Sequence, residues 1–296
     1  MIALTPSADF AERLELFFGA ASESLCRVYA RMDLAADEAG LDLSGTLTGP
    51  NCHYTPTLPA TFFFRDKGPG PSLLAEAIVP EPSFWTPEMP HWYRATLQLR
   101  KNGELVAEQT RMFAIRPLGA SGQKLLYGGQ SWVLRGVRSD EVPETPLETW
   151  RSADSAMAVR QPDDALCESA SRLGVLLIAE LADTNLPEIR RLARWPAVAM
   201  IVLDRPVDQA KVHAPNVLLA ERFFIGQPSD QQPWADLAIG TISNGQRLEL
   251  ARQANSRPLI VTRSAGRLGS VAEGRAACDC LQSDLAGNGN LAGYLV

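Results

Sequence analysis

The sequence predicts a two-domain chain of multidomain β plus α/β class, with an immunoglobulin-like β-sandwich over residues 1–118 and a small TIM-type (β/α)8 barrel over 119–296. Two observations predict this fold class. In the first part of the chain, short apolar or alternating runs are separated by Gly, Pro and Asn, which is typical of an antiparallel sandwich. In the second part, buried-type strands alternate with helical stretches, which is typical of a parallel barrel.

Six segments of the first domain have the composition and alternation of β-strands. They are LELFF (14–18), LCRVYARMDL (25–34), ATFFF (60–64), SLLAEAIV (72–79), WYRATLQL (92–99) and VAEQTRMFAI (106–115). Between the last two lies the pair Asn102-Gly103. Asn-Gly favours a two-residue hairpin because both residues accept a positive φ angle, so we expect these two strands to be antiparallel neighbours.

Eight segments of the second domain have the apolar character of buried strands. They are SWVLRGV (131–137), AMAVRQP (156–162), GVLLIAEL (174–181), AVAMIVLD (197–204), NVLLAERFF (216–224), LAIGTIS (237–243), PLIVTRS (258–264) and LAGYLV (291–296). Helical stretches are predicted at 162–174, 185–195, 244–253 and around 271–281. About 178 residues are few for a barrel, so we expect short loops and a shallow mouth.

Composition excludes several functional classes. The 296 residues carry a net charge of -6, which argues against a nucleic-acid partner because no basic excess is available for phosphates. No apolar stretch approaches the roughly 18 residues that cross a bilayer, so we expect no membrane partner. The N-terminal residues lack the pattern of a secretory signal, which favours the cytoplasm. Five scattered cysteines and three histidines form no ligand set, so neither a metal nor a cofactor is expected.

Five motifs of the chain occur in an order and spacing known from one enzyme family. They are FWTPEMPHWYRATLQL (84–99), FAIRPLG (113–119), YGGQSWVLRGV (127–137), ALCESASRLGVLLIAEL (165–181) and RWPAVAMIVLD (194–204). This order resembles family 2 glycoside hydrolases, the β-galactosidase, β-mannosidase and β-glucuronidase group, in which a sandwich precedes a catalytic barrel. The resemblance covers about 84–296, and the family's N-terminal jelly roll has no counterpart, so we expect a truncated relative.

The resemblance implies two catalytic glutamates, and neither is found at its place. In the family, the acid/base glutamate follows an asparagine after the fourth strand, where this sequence has Arg205 and Pro206. The nucleophile ends the seventh strand, where PLIVTRSAG presents Arg263. Proline carries no proton-transfer group, and a guanidinium cannot attack an anomeric carbon. We therefore expect a catalytically degenerate, noncatalytic protein with a binding or scaffold role and no defined protein partner.

Two alternatives stay open at the strand ends. Relocated carboxylates could support glycoside hydrolysis, or they could neutralise neighbouring arginines; the candidates are Glu180, Asp204 and Glu221. A ring of arginines could bind a carbohydrate or a small anion such as phosphate, sulfate or a sugar acid, or it could form an internally neutralised rim. The arginines of this predicted ring are Arg138, Arg160, Arg222 and Arg263.

Overall fold

The computed structural model of the protein describes residues 6–34, 40–181, 185–208, 210–225, 234–242, 257–264, 266–287 and 291–296. The chain forms two compact units, and the division falls between Arg116 and Pro117. The first unit is an antiparallel sandwich, and the second contains a closed barrel of eight parallel strands. The predicted fold class is therefore confirmed. None of the described helices combines the length and apolar character needed to cross a membrane.

The described part of the first unit contains a short helix followed by seven strands. These are α1 (Pro6–Arg13), β1 (Glu15–Ala21), β2 (Leu25–Asp33), β3 (Leu41–Asn51), β4 (Ala60–Asp66), β5 (Ser72–Pro80), β6 (Trp92–Lys101) and β7 (Glu104–Phe113). The strand order is β1-β2-β5-β4-β3-β6-β7. Strand β4 connects the two layers, because its first residues pair with β3 whereas Arg65 and Asp66 pair with β5.

Alternation along the strands produces the core of the sandwich. In β2, for example, Cys26, Val28, Ala30 and Met32 are buried between exposed or partly exposed neighbours. The predicted hairpin is confirmed: β6 pairs with β7 in antiparallel fashion, and both turn residues have positive φ angles, 51° and 88°. Strand β3 was not predicted, because its Gly, Ser, Thr and Pro residues are typical of turns.

The second unit begins with a small antiparallel sheet and continues into the barrel. The small sheet contains β8 (Leu118–Ser121), β9 (Lys124–Tyr127) and β10 (Gln130–Trp132). The barrel strands are β11 (Leu134–Arg138), β12 (Ala156–Arg160), β13 (Leu177–Glu180), β14 (Val198–Leu203), β15 (Leu218–Phe224), β16 (Leu237–Thr241), β17 (Leu259–Thr262) and β18 (Gly293–Leu295). Seven of them lie within the predicted strand segments, and β11 extends one residue beyond its segment, to Arg138.

Five helices lie in the described part of the second unit. They are α2 (Leu147–Ser152), α3 (Asp164–Leu173), α4 (Leu186–Ala193), α5 (Ala210–His213) and α6 (Val271–Asp284). Helices α3, α4 and α6 confirm three of the predicted helical stretches. Asp163, Asn185 and Ser270 cap the N-termini of these three helices by accepting a backbone N–H bond. The helix predicted at 244–253 lies outside the described residues.

Glycine contacts define which side chains face the inside of the barrel. A Cβ atom on Gly136 would lie 2.9 Å from Leu295 Cδ1 and 3.3 Å from Ile178 Cδ1, so these three positions share the interior. A Cβ atom on Gly274 of α6 would lie within 2.7 Å of both Val137 γ-carbons, so Val137 faces the outer helix. Because side chains alternate along a strand, every second residue from these positions also faces inward.

Candidate functional site

The candidate site lies at the carboxyl ends of the barrel strands, where this fold places its chemistry. Glu180 ends β13 and stands opposite Arg160 of β12 and Val202 of β14. Alternation from Ile178 directs Glu180 inward, and alternation from Gly136 does the same for Arg138 at the end of β11. The sequence thus brings one carboxylate and several guanidiniums to the mouth of the barrel.

Glu180 is the centre of this charge cluster. Its Oε2 atom lies 3.0 Å from Arg222 Nη2 and 4.0 Å from Arg160 Nε, and its Oε1 atom lies 3.8 Å from Arg138 Nε. The Glu180 side chain is only 7% exposed. Arg222 makes the close ion pair, and the other two arginines contribute at longer range. Three permanently protonated groups therefore surround a single buried carboxylate.

Exposure separates the three arginines of this cluster. The Arg138 side chain is 16% exposed and the Arg222 side chain 31%, whereas Arg160 retains 73% of its accessible surface. Arg160 also lies 3.9 Å from Asp140 Oδ2, a contact that the sequence did not indicate. Arg160 is therefore the cation of the cluster that a ligand in solution can reach most directly.

Several buried polar atoms at this end of the barrel have no hydrogen-bond partner among the described residues; besides Arg222 Nε and Arg263 Nε, they include two oxygens. One is Glu180 Oε1, and the other is Thr262 Oγ1, in a residue only 1% exposed. Alternation from Ile260, which lies within 3.3 Å of the Cβ position of Gly293, directs Thr262 inward. Buried polar groups normally have partners, so these atoms are places where a ligand could hydrogen-bond. Thr262 was not predicted as a site residue, although the alternation of LIVT could have indicated it.

The other predicted carboxylates do not join Glu180. Glu221 is buried and pairs with Arg257, which precedes β17. The neighbouring Arg222 faces Glu180, so alternation directs Glu221 to the outer surface of the barrel. Asp204 follows β14 and is exposed, with no ion pair or hydrogen bond to any described residue.

The two positions that the resemblance assigns to catalytic glutamates have different surroundings. Pro206, like Arg205, is exposed in the segment after β14. Arg263 donates its backbone N–H to Leu295 O, and its Nη1 atom lies 2.9 Å from Asp284 Oδ2 at the end of α6. Arg138, Arg160 and Arg222 thus meet around Glu180, whereas Arg263 is paired with the last helix.

No group of three or more His, Cys, Asp or Glu residues that could hold a metal occurs within the part of the chain that the structure describes. The cysteines in this part are free thiols. Burial raises the pKa of Cys278 to about 11. The chemistry available at the mouth is therefore that of carboxylate, guanidinium and hydroxyl groups.

A sandwich is followed along the chain by a barrel with charged residues at its mouth, and comparison with known proteins names the family that this chain resembles. Residues 42–116 match the family model for glycosyl hydrolases family 2. This match begins before the motif at 84–99 and covers most of the sandwich. No curated protein matches the sequence.

Solved structures of family 2 enzymes share the fold over almost the whole chain. A calcium-binding mutant of Bacteroides uniformis β-glucuronidase 2 has a TM-score of 0.64 at 16% identity, covering 96% of this chain and 45% of that one. A family 2 member from Bacteroides cellulosilyticus has a TM-score of 0.65 at 13% identity, and the match covers 96% of this chain and 45% of that one. A putative β-galactosidase from Bacteroides fragilis has a TM-score of 0.62 at 14% identity, and the match covers 100% of this chain and 55% of that one.

These comparisons confirm the resemblance to family 2 glycoside hydrolases. The chain has the sandwich and barrel of that family, and it spans about half the length of the structures to which it is similar.

Proposed function

We propose that this protein is a noncatalytic relative of family 2 glycoside hydrolases that binds small anionic ligands, such as sugar acids, at the barrel mouth. The observation that carries the proposal is the arrangement of Arg138, Arg160 and Arg222 around Glu180. Three cations around one carboxylate leave positive charge at the barrel mouth, which attracts anions. Asp140 offsets part of this charge at Arg160.

The same arrangement counts against retaining hydrolysis by Glu180. That mechanism uses two carboxyl groups about 5–5.5 Å apart, with one of them attacking the anomeric carbon. Glu180 Oε2 is within ion-pair distance of Arg222 and Arg160, so this oxygen is not free to attack. The residues aligned with the family's acid/base and nucleophile, Pro206 and Arg263, supply no carboxylate.

Hydrolysis by relocated carboxylates is the second candidate function. It is favoured by the position of Asp204, an exposed carboxylate that follows β14, next to the strand that carries Glu180. Glu221 is a weaker candidate because it pairs with Arg257. If the second candidate is correct, Glu180 and Asp204 are the acid/base pair.

An activity assay separates the two candidates. We expect no turnover of aryl β-galactoside, β-mannoside or β-glucuronide by the purified protein. Turnover that disappears in both Glu180→Gln and Asp204→Asn would establish the hydrolase instead. Turnover that survives both substitutions comes from a contaminating enzyme.

A binding assay tests the anion site directly. Thermal unfolding is measured with sulfate, phosphate, glucuronate or neutral galactose, at low and then moderate salt. At ten times Kd, a ligand stabilises the folded state by about 1.4 kcal/mol, which raises Tm by roughly 3–6 °C for a unit of this size. We expect this shift with the anions only, and we expect salt to reduce it.

Two arginine variants form a matched pair for this assay. Arg160→Ala removes the exposed cation of the cluster and should abolish the anion-dependent shift. Arg263→Ala removes a cation that pairs with Asp284, so the shift should remain as in the parent protein. Equal stabilisation by galactose, or an unchanged response of Arg160→Ala, would contradict the proposal.

A further inference from the structure

A groove opens on the sandwich where β4 and β5 separate. The two strands form only two pairs, Arg65 opposite Glu76 and Asp66 opposite Ala75. The next pair on the same face as Arg65 and Glu76 would be Phe63 opposite Ile78, but here β4 has turned to pair with β3. The groove has a volume of about 560 Å³ and is lined by Phe63, Arg65, Asp66, Lys67, Glu76 and Ile78.

The walls of the groove expose apolar surface. Phe63 is 63% exposed and Ile78 47% exposed, although both belong to strands of the sandwich. A volume of this size is within the range of about 300–1,000 Å³ that accommodates small ligands or a few residues of a peptide.

The β5 edge of the groove carries backbone groups available for pairing. The Lys67 N–H donates to Leu74 O, so the backbone groups of Leu74 point toward β4. The ladder between β2 and β5 runs without a bulge, and alternation therefore directs the N–H and C=O of Ile78 to this same side. Within the described residues, pairing on this side of β5 extends no further than Glu76, and the N–H of Ile78 faces the groove.

The charged residues of the groove differ in whether they have an ion-pair or hydrogen-bond partner among the described residues. Glu76 lies 2.7 Å from Arg27 and 2.9 Å from Lys67, and the hydrogen bonds from Lys67 and Arg27 lower its pKa. Asp66 accepts the backbone N–H groups of Leu43 and Gly68. Arg65, in contrast, is exposed and has no ion pair or hydrogen bond to any described residue. The groove therefore offers a free guanidinium beside an apolar wall.

We propose that this groove binds an extended, acidic segment of polypeptide, which adds as a strand to the open edge of β5 at Ile78. Strand addition uses main-chain hydrogen bonds for affinity and alternate side chains for specificity. An apolar side chain of the segment would pack on Phe63 and Ile78, and a carboxylate on the same face of the segment would bind Arg65. Because Arg65 has no ion-pair partner among the described residues, an acidic segment is favoured over a neutral or basic one.

A designed peptide tests this proposal on the full-length protein. The probe is fluorescein-labelled Thr-Val-Thr-Glu-Thr with blocked ends, in which valine and glutamate share one face, and binding is followed by fluorescence anisotropy. In a segment bound antiparallel to β5, as β4 is, the residues whose side chains enter the groove direct their N–H groups to β5. N-methylation of valine and glutamate should weaken binding at least tenfold, whereas N-methylation of the threonines should change it less than about twofold.

Protein variants test the two contacts separately. Arg65→Glu should weaken binding at least tenfold and favour the peptide with lysine in place of glutamate. Arg94→Glu, at another exposed arginine of the sandwich without a described partner, is the matched control and should bind like the parent. Ile78→Pro removes the N–H that faces the groove, whereas the bonds to β2 come from the neighbouring residues Ala77 and Val79, so a folded Ile78→Pro protein should lose binding.

Several results would overturn the proposal. If N-methylation of the threonines weakened binding as much as N-methylation of valine and glutamate, strand addition would be excluded. If Arg65→Glu bound the peptide as tightly as the parent, the contact between Arg65 and a carboxylate would be excluded. Displacement of the peptide by glucuronate or sulfate at millimolar concentration would define a site for small anions instead. If no peptide bound, the proposal would be wrong. Arg65 and Lys67 would then be charged residues that protect an exposed strand edge from pairing with other chains.

Discussion

Glu180 is the residue whose replacement should affect the barrel most. Glu180→Gln keeps the size of the side chain but removes the charge that Arg222, Arg138 and Arg160 share. The guanidiniums then repel one another at the mouth of the barrel without compensation. We expect a large loss of stability in the second unit.

The magnitude follows from the burial of the partners. Breaking a buried ion pair costs about 3–5 kcal/mol, because one charge is left without its partner in a poorly solvated place. The Glu180 side chain is 7% exposed, which supports this range, but Arg222 is 31% exposed and can recover part of its hydration. We therefore expect about 3 kcal/mol, which corresponds to a fall in Tm of roughly 6–12 °C.

Urea unfolding of the parent and the variant measures this difference, with circular dichroism as the probe. Glu168→Gln is the matched control, because Glu168 and Arg172 form an ion pair of 2.8 Å with both side chains nearly half exposed. Such a surface pair should contribute less than about 0.5 kcal/mol. If Glu180→Gln lowered the free energy of unfolding as little as Glu168→Gln does, the charge of Glu180 would not be what stabilises the cluster.

Two further predictions concern backbone packing and thiol chemistry. Gly45→Ala should cost about 3 kcal/mol or more in unfolding experiments, since its Cβ atom would lie 2.1 Å from the backbone oxygen of Thr96; Gly119→Ala, which meets no atom within 4 Å, should be neutral within about 0.5 kcal/mol. Cys278, with its pKa raised by burial from 9.0 to about 11, should resist a thiol reagent at pH 8 while exposed Cys280 reacts. The folded protein holds the Cys278 proton more tightly than the unfolded chain does, so this stabilisation is complete below pH 9 and decreases as the pH rises toward 11; equal labelling of both thiols, or equal stability at pH 8 and pH 11, would contradict this reasoning.

The barrel was predictable because each of its strands is a short apolar run. The alternation with helices implied parallel pairing, and the eight strands then close on one another. Caps such as Asp163 and Asn185 also mark helix starts in the sequence. Strand β3 could not be predicted because it is not an apolar run. It contains Gly45 and the Gly49-Pro50 pair, which are typical of turns, and it forms a strand because it pairs with β4 and β6.

The candidate site was predictable only in part, because the position of a residue at a strand end does not define the direction of its side chain. Arg138, Arg160 and Glu180 lie on the inward face of their strands, and their meeting follows from register. Arg222 and Glu221 are adjacent in β15, so only one of them can face the interior. The sequence gives both as candidates, and the ion pair between Arg222 and Glu180 decides between them.

Arg263 shows the same limit at the strand end where the resemblance expects a nucleophile. In LIVT, Ile260 and Thr262 face the interior, so the next residue begins on the other face and lies beside Asp284 of α6. The positive charge of Arg263 therefore contributes less to the electrostatics of the barrel mouth than its place at a strand end suggests. If the mouth binds a ligand as we propose, the inward Thr262 hydroxyl, Glu180 and the three arginines around it are the groups that contact it. An anion at the mouth accepts hydrogen bonds from guanidinium groups, and one that also carries a hydroxyl can donate to Glu180 Oε1, so we expect a sugar acid to stabilise the protein more than sulfate does at equal concentration.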